Sequence, residues 1–240
     1  MTTLLLTLAA VVAAYLIGSL SFAVIVSRMM GLSDPRGYGS GNPGATNVLR
    51  SGNKKAAALT LLFDLLKGLL PVLAVGLWGA PYNLRENTAG LVGLAAFAGH
   101  LWPVFFKFKG GKGVATAAGV LLGMNPLLGL GTLIVWVVVA YFTRYSSLAA
   151  LLAAVAAPAL HIVGWGASGA TFAIVVMSSL LVWRHSANIG KLLAGTEGKL
   201  GQKAAAPGAA APQGTEKTGH GKTSHRPGGA HKSTGGHHRH

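Results

Sequence analysis

Four short stretches carry side chains that could do chemistry. Gly39–Arg50, GSGNPGATNVLR, is glycine-rich and ends in arginine. Gly39, Gly41 and Gly44 permit backbone turns closed to other residues, and Ser40, Asn42, Thr46 and Asn47 add short donors and acceptors. Such a segment can offer backbone N–H groups, hydroxyls and the Arg50 guanidinium to one anion. A plain connector between apolar runs would need none of this. Lys107–Gly113, KFKGGKG, combines cations and glycines again. Its glycines let N–H groups point at a phosphate where a helix should begin at Val114, and the helix dipole adds to the attraction. The plainer reading of that stretch is a basic cytoplasmic turn. In Arg184–Asn188, His185 and Asn188 stand three apart and share a face if the helix continues; an imidazole there could orient a hydroxyl or accept its proton. Tyr145-Ser146-Ser147 adds two hydroxyls.

Together these clusters supply Arg50, Lys112, His185, three amides (Asn42, Asn47, Asn188) and two glycine nests, with Asp34 the one carboxylate expected beside them. Such a set suits an anionic ligand, and two phosphates in particular. Other chemistries fail on residues. Lys112 is followed by Gly113 rather than Ser or Thr, so the phosphate loop of nucleotide hydrolases is absent. GxSxG and HExxH are missing, and with no cysteine there is neither a thiol nucleophile nor a thiolate metal site. Soluble-type glycerolipid acyltransferases place Asp five positions after a His; His100, His161 and His185 are followed there by Phe105, Gly166 and Gly190.

The elements that must position these clusters are apolar. Of 240 residues, 51% are hydrophobic and 10% charged, against about 25% charged in soluble domains. Seven runs are long enough to read as helices: about Leu4–Val26, Ala56–Trp78, Ala89–Phe106, Val114–Met124, Leu127–Phe142, Leu148–Val163 and Thr171–Trp183. The fourth is short for a span of about 20 residues and reads as a short or partly re-entrant helix. No cation precedes the first run, so it reads as a retained helix rather than a signal peptide. Arg28, Arg36, Arg50, Lys54, Lys55, Lys107, Lys109, Lys112, Arg144, Arg184 and Lys191 then fall on one side, with Arg85 alone on the other. The expected architecture is therefore an all-α polytopic integral membrane protein of seven transmembrane helices, N-terminus outside and C-terminus cytoplasmic. A five-crossing version would merge the short central segments. The net charge of +15 follows this loop pattern and does not point to nucleic acid.

Asp64 and Lys67 lie inside the second run, three apart, and should pair to brace that helix behind the site. His100 is expected to be a structural hydrogen-bonder and His161 a packing residue. Residues 1–200 form the membrane-embedded domain. The tail, 201–240, is rich in Ala, Gly, Pro, Lys and His and is expected to be a disordered cationic segment near anionic lipid.

GSGNPGATNVLR, FDLLKG, GHLWPVFFKFKGGKGVAT, RYSSLAALL and RHSANIGKLLAGTEGKL, in that order, resemble the acyl-phosphate-dependent glycerol-3-phosphate acyltransferases of bacteria, the PlsY family. The resemblance runs from about Tyr15 to Leu200. One departure is Ser21, where many members have proline. The resemblance implies transfer of a fatty acyl group from acyl phosphate to the sn-1 hydroxyl of glycerol 3-phosphate, giving 1-acyl-glycerol 3-phosphate and inorganic phosphate. It implies no cofactor and no metal, a bacterial inner membrane location with the active site on the cytoplasmic side, membrane lipid as surroundings, and the phosphate acyltransferase that makes the donor as a partner. Carried over by motif, Lys112, His185 and Asn188 would be catalytic. Ser40, Gly41, Asn42, Thr46, Asn47 and Arg50, with Gly110, Gly111 and Gly113, would hold substrate phosphates, and Ser146 and Ser147 would be further candidates. The competing class is a transporter for organic phosphate, which would need a polar path to the outer face; the outer linkers are bland.

Overall fold

The computed structural model describes residues 1–202; the expectations for the tail fall almost wholly on 203–240, outside the described residues. The described chain is all-helical, and each of the seven apolar runs lies mainly on helix, the third leaving it at Trp102-Pro103. The first run is not continuous. It forms α1 (Thr2–Gly18) and α2 (Phe22–Met29), bent by 43°. The break has a local cause and a distant one. Ser21 is non-helical at φ −84°, ψ 86°, and the Val24 N–H bonds the Ser21 carbonyl at 3.0 Å rather than that of Leu20. The Leu20 carbonyl, freed from the helical ladder, accepts from Lys67 Nζ at 2.7 Å.

A short helix, α3 (Ala45–Leu49), follows the first glycine-rich loop. Asn53 then caps α4 (Lys54–Trp78), accepting from the Ala56 N–H at 3.0 Å. α5 (Glu86–Leu101) returns to the basic turn. α6 (Val114–Met124) has 11 residues and so rises about 16 Å, the short element expected. Asn125, accepting from Leu127 and Leu128 N–H groups, caps α7 (Pro126–Thr143), with Pro126 at its first position. α8 (Ser146–Trp165) and α9 (Gly169–Arg184) complete the bundle, and α10 (Ser186–Leu193) bends away from α9 by 56°. Among the described residues, four helices are long and apolar enough to cross a membrane, or six if each bent pair is one span.

The packing is that of a lipid-embedded bundle. Buried positions are dominated by alanine, as at Ala14, Ala96, Ala149, Ala150 and Ala157, while Leu61, Leu130, Ile134, Val137 and Phe172 face outward. Small residues let helix backbones approach closely. A Cβ at Gly119 would strike the Leu65 carbonyl between α6 and α4, and one at Gly18 would strike the Ala96 carbonyl between α1 and α5. α4 sits centrally, against α1, α2, α5 and α6, so it can brace both glycine-rich loops from below.

Candidate active site

The four polar clusters meet at one end of the bundle. The first loop folds mainly through its own side chains. Asp34 bonds the Arg36 backbone N–H at 2.9 Å and pairs with its guanidinium at 2.6 Å. Asn47 is buried; its Nδ2 donates to the carbonyls of Pro35 (2.7 Å) and Tyr38 (3.1 Å), and its Oδ1 accepts the Ser40 N–H at 3.0 Å. Gly39 and Gly41 take positive φ, 59° and 67°, which gives the loop its turn. Ser40, Gly41 and Thr46 stand exposed, and Asn42 and Arg50 half-buried. Arg50 makes no ion pair among the described residues, and its guanidinium lies beside Gly198.

The basic turn is held from outside instead. Arg184 donates to the Gly110 carbonyl at 3.0 Å and the Gly111 carbonyl at 3.1 and 3.2 Å, and the Gly111 N–H donates to the His100 carbonyl at 3.1 Å. A Cβ at Gly111 would meet the His100 imidazole on one side and, at 2.9 Å, the Pro43 carbonyl on the other. The two glycine-rich loops are therefore in contact. Gly113, at φ 84°, starts α6 against the Phe97 ring.

Lys112 opens a chain of polar contacts across three further elements. Its Nζ donates to Asn188 Oδ1 on α10. Asn188 Nδ2 donates to Glu197 Oε1 at 2.7 Å, and Ser147 Oγ at the start of α8 donates to the same oxygen at 2.6 Å. An ammonium carries three donors, and Asn188 is the one partner of Lys112 among the described residues. Burial pushes Lys112 down to about 8, opposed by Glu197 and reinforced by Lys191, Arg184 and Arg50. The ring of His185, just past the C-terminal end of α9, is buried, and its Nδ1 lies 2.8 Å from the Leu181 carbonyl. A carbonyl can only accept, so Nδ1 carries the hydrogen and Nε2 keeps its lone pair in the neutral ring. Burial pushes this imidazole down to about 4.

Glu197 is a correction to the sequence reading, which expected no carboxylate here beyond Asp34. It lies past the last apolar run, in AGTEGKL; the available signals were an isolated acid in a chain with five acidic residues and its place within the motif RHSANIGKLLAGTEGKL. Ser147 spends its hydroxyl on Glu197, and Asn47 spends its amide inside its own loop. Ser146 is half-buried beside them. Deeper in the bundle, Asp64 and Lys67 pair at 2.8 Å as expected, and His100 Nδ1 stands 3.6 Å from the same carboxylate oxygen. His161, read as a packing residue, is buried and also meets Thr171 Oγ1 at 2.9 Å. Among the described residues, no group of three or more His, Cys, Asp or Glu gathers that could hold a metal ion.

Comparison with known proteins agrees with the resemblance. Residues 8–195 match the family "Glycerol-3-phosphate acyltransferase". A glycerol-3-phosphate acyltransferase of Paraburkholderia phytofirmans is 64% identical over 203 residues, covering 85% of this chain and 95% of the relative. One of Cupriavidus necator is 60% identical over 191 residues, covering 80% and 95%. Among solved structures the chain is similar to PlsY (YgiH), an integral membrane glycerol 3-phosphate acyltransferase, in its glycerol 3-phosphate form. There the identity is 40%, the TM-score 0.75, and the coverage 81% of this chain and 96% of that one. The lysophosphatidic acid form gives 39% identity and a TM-score of 0.73, covering 80% and 94%.

Proposed function

The chain belongs to the glycerol-3-phosphate acyltransferase family, and from that premise we propose a reaction, its donor and its place in the cell. The chain is a membrane acyltransferase that acylates glycerol 3-phosphate to lysophosphatidate. The donor is acyl phosphate, and the acyl group goes to the sn-1 hydroxyl. The hydroxyl oxygen bonds the acyl carbonyl carbon, the bond from that carbon to the phosphate oxygen breaks, and inorganic phosphate leaves with the electron pair. The observation that carries this reading is the contact of two glycine-rich loops around Arg50 and Lys112, with His185 and Asn188 beside them.

The residues divide by task. Arg50, Ser40, Gly41, Asn42 and Thr46 hold a substrate phosphate, and the guanidinium is suited to a two-point grip. Gly110, Gly111 and Gly113 shape the turn from which Lys112 neutralises the leaving phosphate. Asn188 orients Lys112, while Glu197, Ser147 and Asn47 brace the site and Ser146, half-buried, offers a further hydroxyl at its edge. His185 Nε2 accepts from the glycerol hydroxyl and orients it. An imidazole with a pKa near 4 is a weak base, so the hydroxyl proton goes to the departing phosphate. Phosphate leaves readily from a mixed anhydride, so positioning and charge neutralisation suffice without a covalent intermediate.

Counted as a crossing, the short α6 gives a seven-crossing reading with the N-terminus outside the bacterial inner membrane and the site at its cytoplasmic face, which the one-sided distribution of Lys and Arg supports. The acyl chain lies among the helices with its head at that face, and the enzyme that makes acyl phosphate is a transient partner. Purified protein given acyl phosphate should release inorganic phosphate only when glycerol 3-phosphate is added, one phosphate per lysophosphatidate. Uptake of glycerol 3-phosphate by sealed vesicles without acyl transfer would decide for a transporter.

A further inference from the structure

Three ionisable side chains lie deep in the bundle where the reaction above does not use them. Lys67 Nζ touches Asp64 Oδ1 at 2.8 Å and the Leu20 carbonyl at 2.7 Å, and it stands 5.8 Å from the Phe22 ring centroid. His100 Nδ1 stands 3.6 Å from the same Asp64 oxygen. Lys67 and Asp64 are each 3% exposed and His100 is 7%. Charges at such depth are costly, and a pair that only filled space could be replaced by apolar side chains at little cost or with a gain. The contacts of these three suggest more than filling. Lys67 caps the carbonyl freed at the α1–α2 break, the bend from which the chain runs on into the first glycine-rich loop. His100 lies under the second: its carbonyl takes the Gly111 N–H, and its ring abuts Gly111, one residue before Lys112.

We propose that Asp64, Lys67 and His100 are positioning residues that act as one buried strut, setting the separation of the two anion-binding loops. One end fixes the α1–α2 bend and hence the Arg50 loop. The other end fixes the Gly110–Gly111 turn and hence Lys112. Each phosphate contact would survive loss of the strut, but the two substrates would no longer be held in register. Misplacement by about 1 Å costs about a hundredfold in rate, so the penalty falls on kcat and spares the KM for glycerol 3-phosphate.

The inference rests on the acyl-transfer reading. A wild-type protein that transferred no acyl group from acyl phosphate would defeat that reading and leave the strut without its readout. The test pairs stability with kinetics in two variants. Asp64→Leu/Lys67→Met removes both charges together, and His100→Phe keeps a ring without its polar atoms. Each should melt within about 4 °C of wild type, roughly the shift that 1 kcal/mol gives in a chain of this size. Each should keep the KM for glycerol 3-phosphate within about twofold and lose at least about tenfold in kcat. A kcat within about twofold of wild type in either folded variant overturns the proposal, and so does a loss shared equally by kcat and stability. If the double variant is not recovered folded, the same split in His100→Phe decides.

Discussion

The two glycine-rich loops look alike in sequence and are held in opposite ways. The Gly39–Arg50 loop is stitched by its own neighbourhood, through Asn47 and the Asp34–Arg36 pair, and its Arg50 stands without an ion pair among the described residues. The Lys107–Gly113 turn is gripped from outside, by Arg184 and the His100 carbonyl, and its Lys112 is tied through Asn188 and Glu197 to α8. A self-folded loop with a long, unpaired side chain suits capture of a mobile substrate. An externally clamped turn suits stabilising charge that develops at one fixed point, because no reorganisation is needed at the moment of reaction. The contrast predicts that changes in the first loop act mainly on KM and changes in the second mainly on kcat.

The largest break should come from Lys112→Ala. It should lower kcat by about 10²–10³, the loss typical of one preorganised charge-stabilising donor; full turnover would remove Lys112 from the mechanism. Gly111→Ala should fall in the same direction, because its Cβ would collide with the His100 ring, and its KM for glycerol 3-phosphate should change little. Arg50→Ala sharpens the other side. Loss of a charged hydrogen bond costs about 1.5–3 kcal/mol, so the KM for glycerol 3-phosphate should rise by about ten- to a hundredfold with kcat nearly kept. An unchanged KM would refute its role.

Acidity gives a finer test. A lysine lowered to about 8 is charged below that pH and neutral above it. The kcat/KM should therefore hold steady from neutral pH and fall as pH rises through about 8. Lys112→Arg should remove that fall, since arginine stays charged; a wild-type profile that stays flat to pH 9.5 would contradict the assignment. The smallest effect concerns the bend. Ser21 sits at φ −84°, close to what proline adopts. Ser21→Pro should leave kinetics alone and raise stability by about 0.4–1 kcal/mol, read as a higher melting temperature.

How much of this was legible depends on what made each feature. The seven helical runs follow from local hydrophobicity, so the sequence carries them directly. The break at Leu20–Ser21 does not show, because Gly18, Ser19 and Ser21 read as small packing residues within a long apolar run and the break is completed by Lys67, far away in the chain. Likewise the end of the last apolar run at Trp183 was visible, whereas the 56° bend into α10 was not. In the candidate site, residue types pointed to the loops that the structure brings together, but not to how each loop is held. Asn47 and Ser40 look equivalent as polar loop residues; burial and three hydrogen bonds turn Asn47 into a brace, while the Ser40 side chain stays exposed. Glu197 escaped because a single acid in a glycine- and lysine-rich stretch carries no periodic signal.

The central claim, that separate polar turns gather at one membrane face, can be tested by side-specific labelling. The chain has no cysteine, so single variants Ser40→Cys, Lys109→Cys and Ser186→Cys each report one turn, and Arg85→Cys reports the opposite end. In sealed inside-out vesicles a membrane-impermeant thiol reagent should label the first three and spare the fourth, and the two substrates together should slow labelling at position 40. Labelling of positions 40, 109 and 186 from different sides would contradict the account.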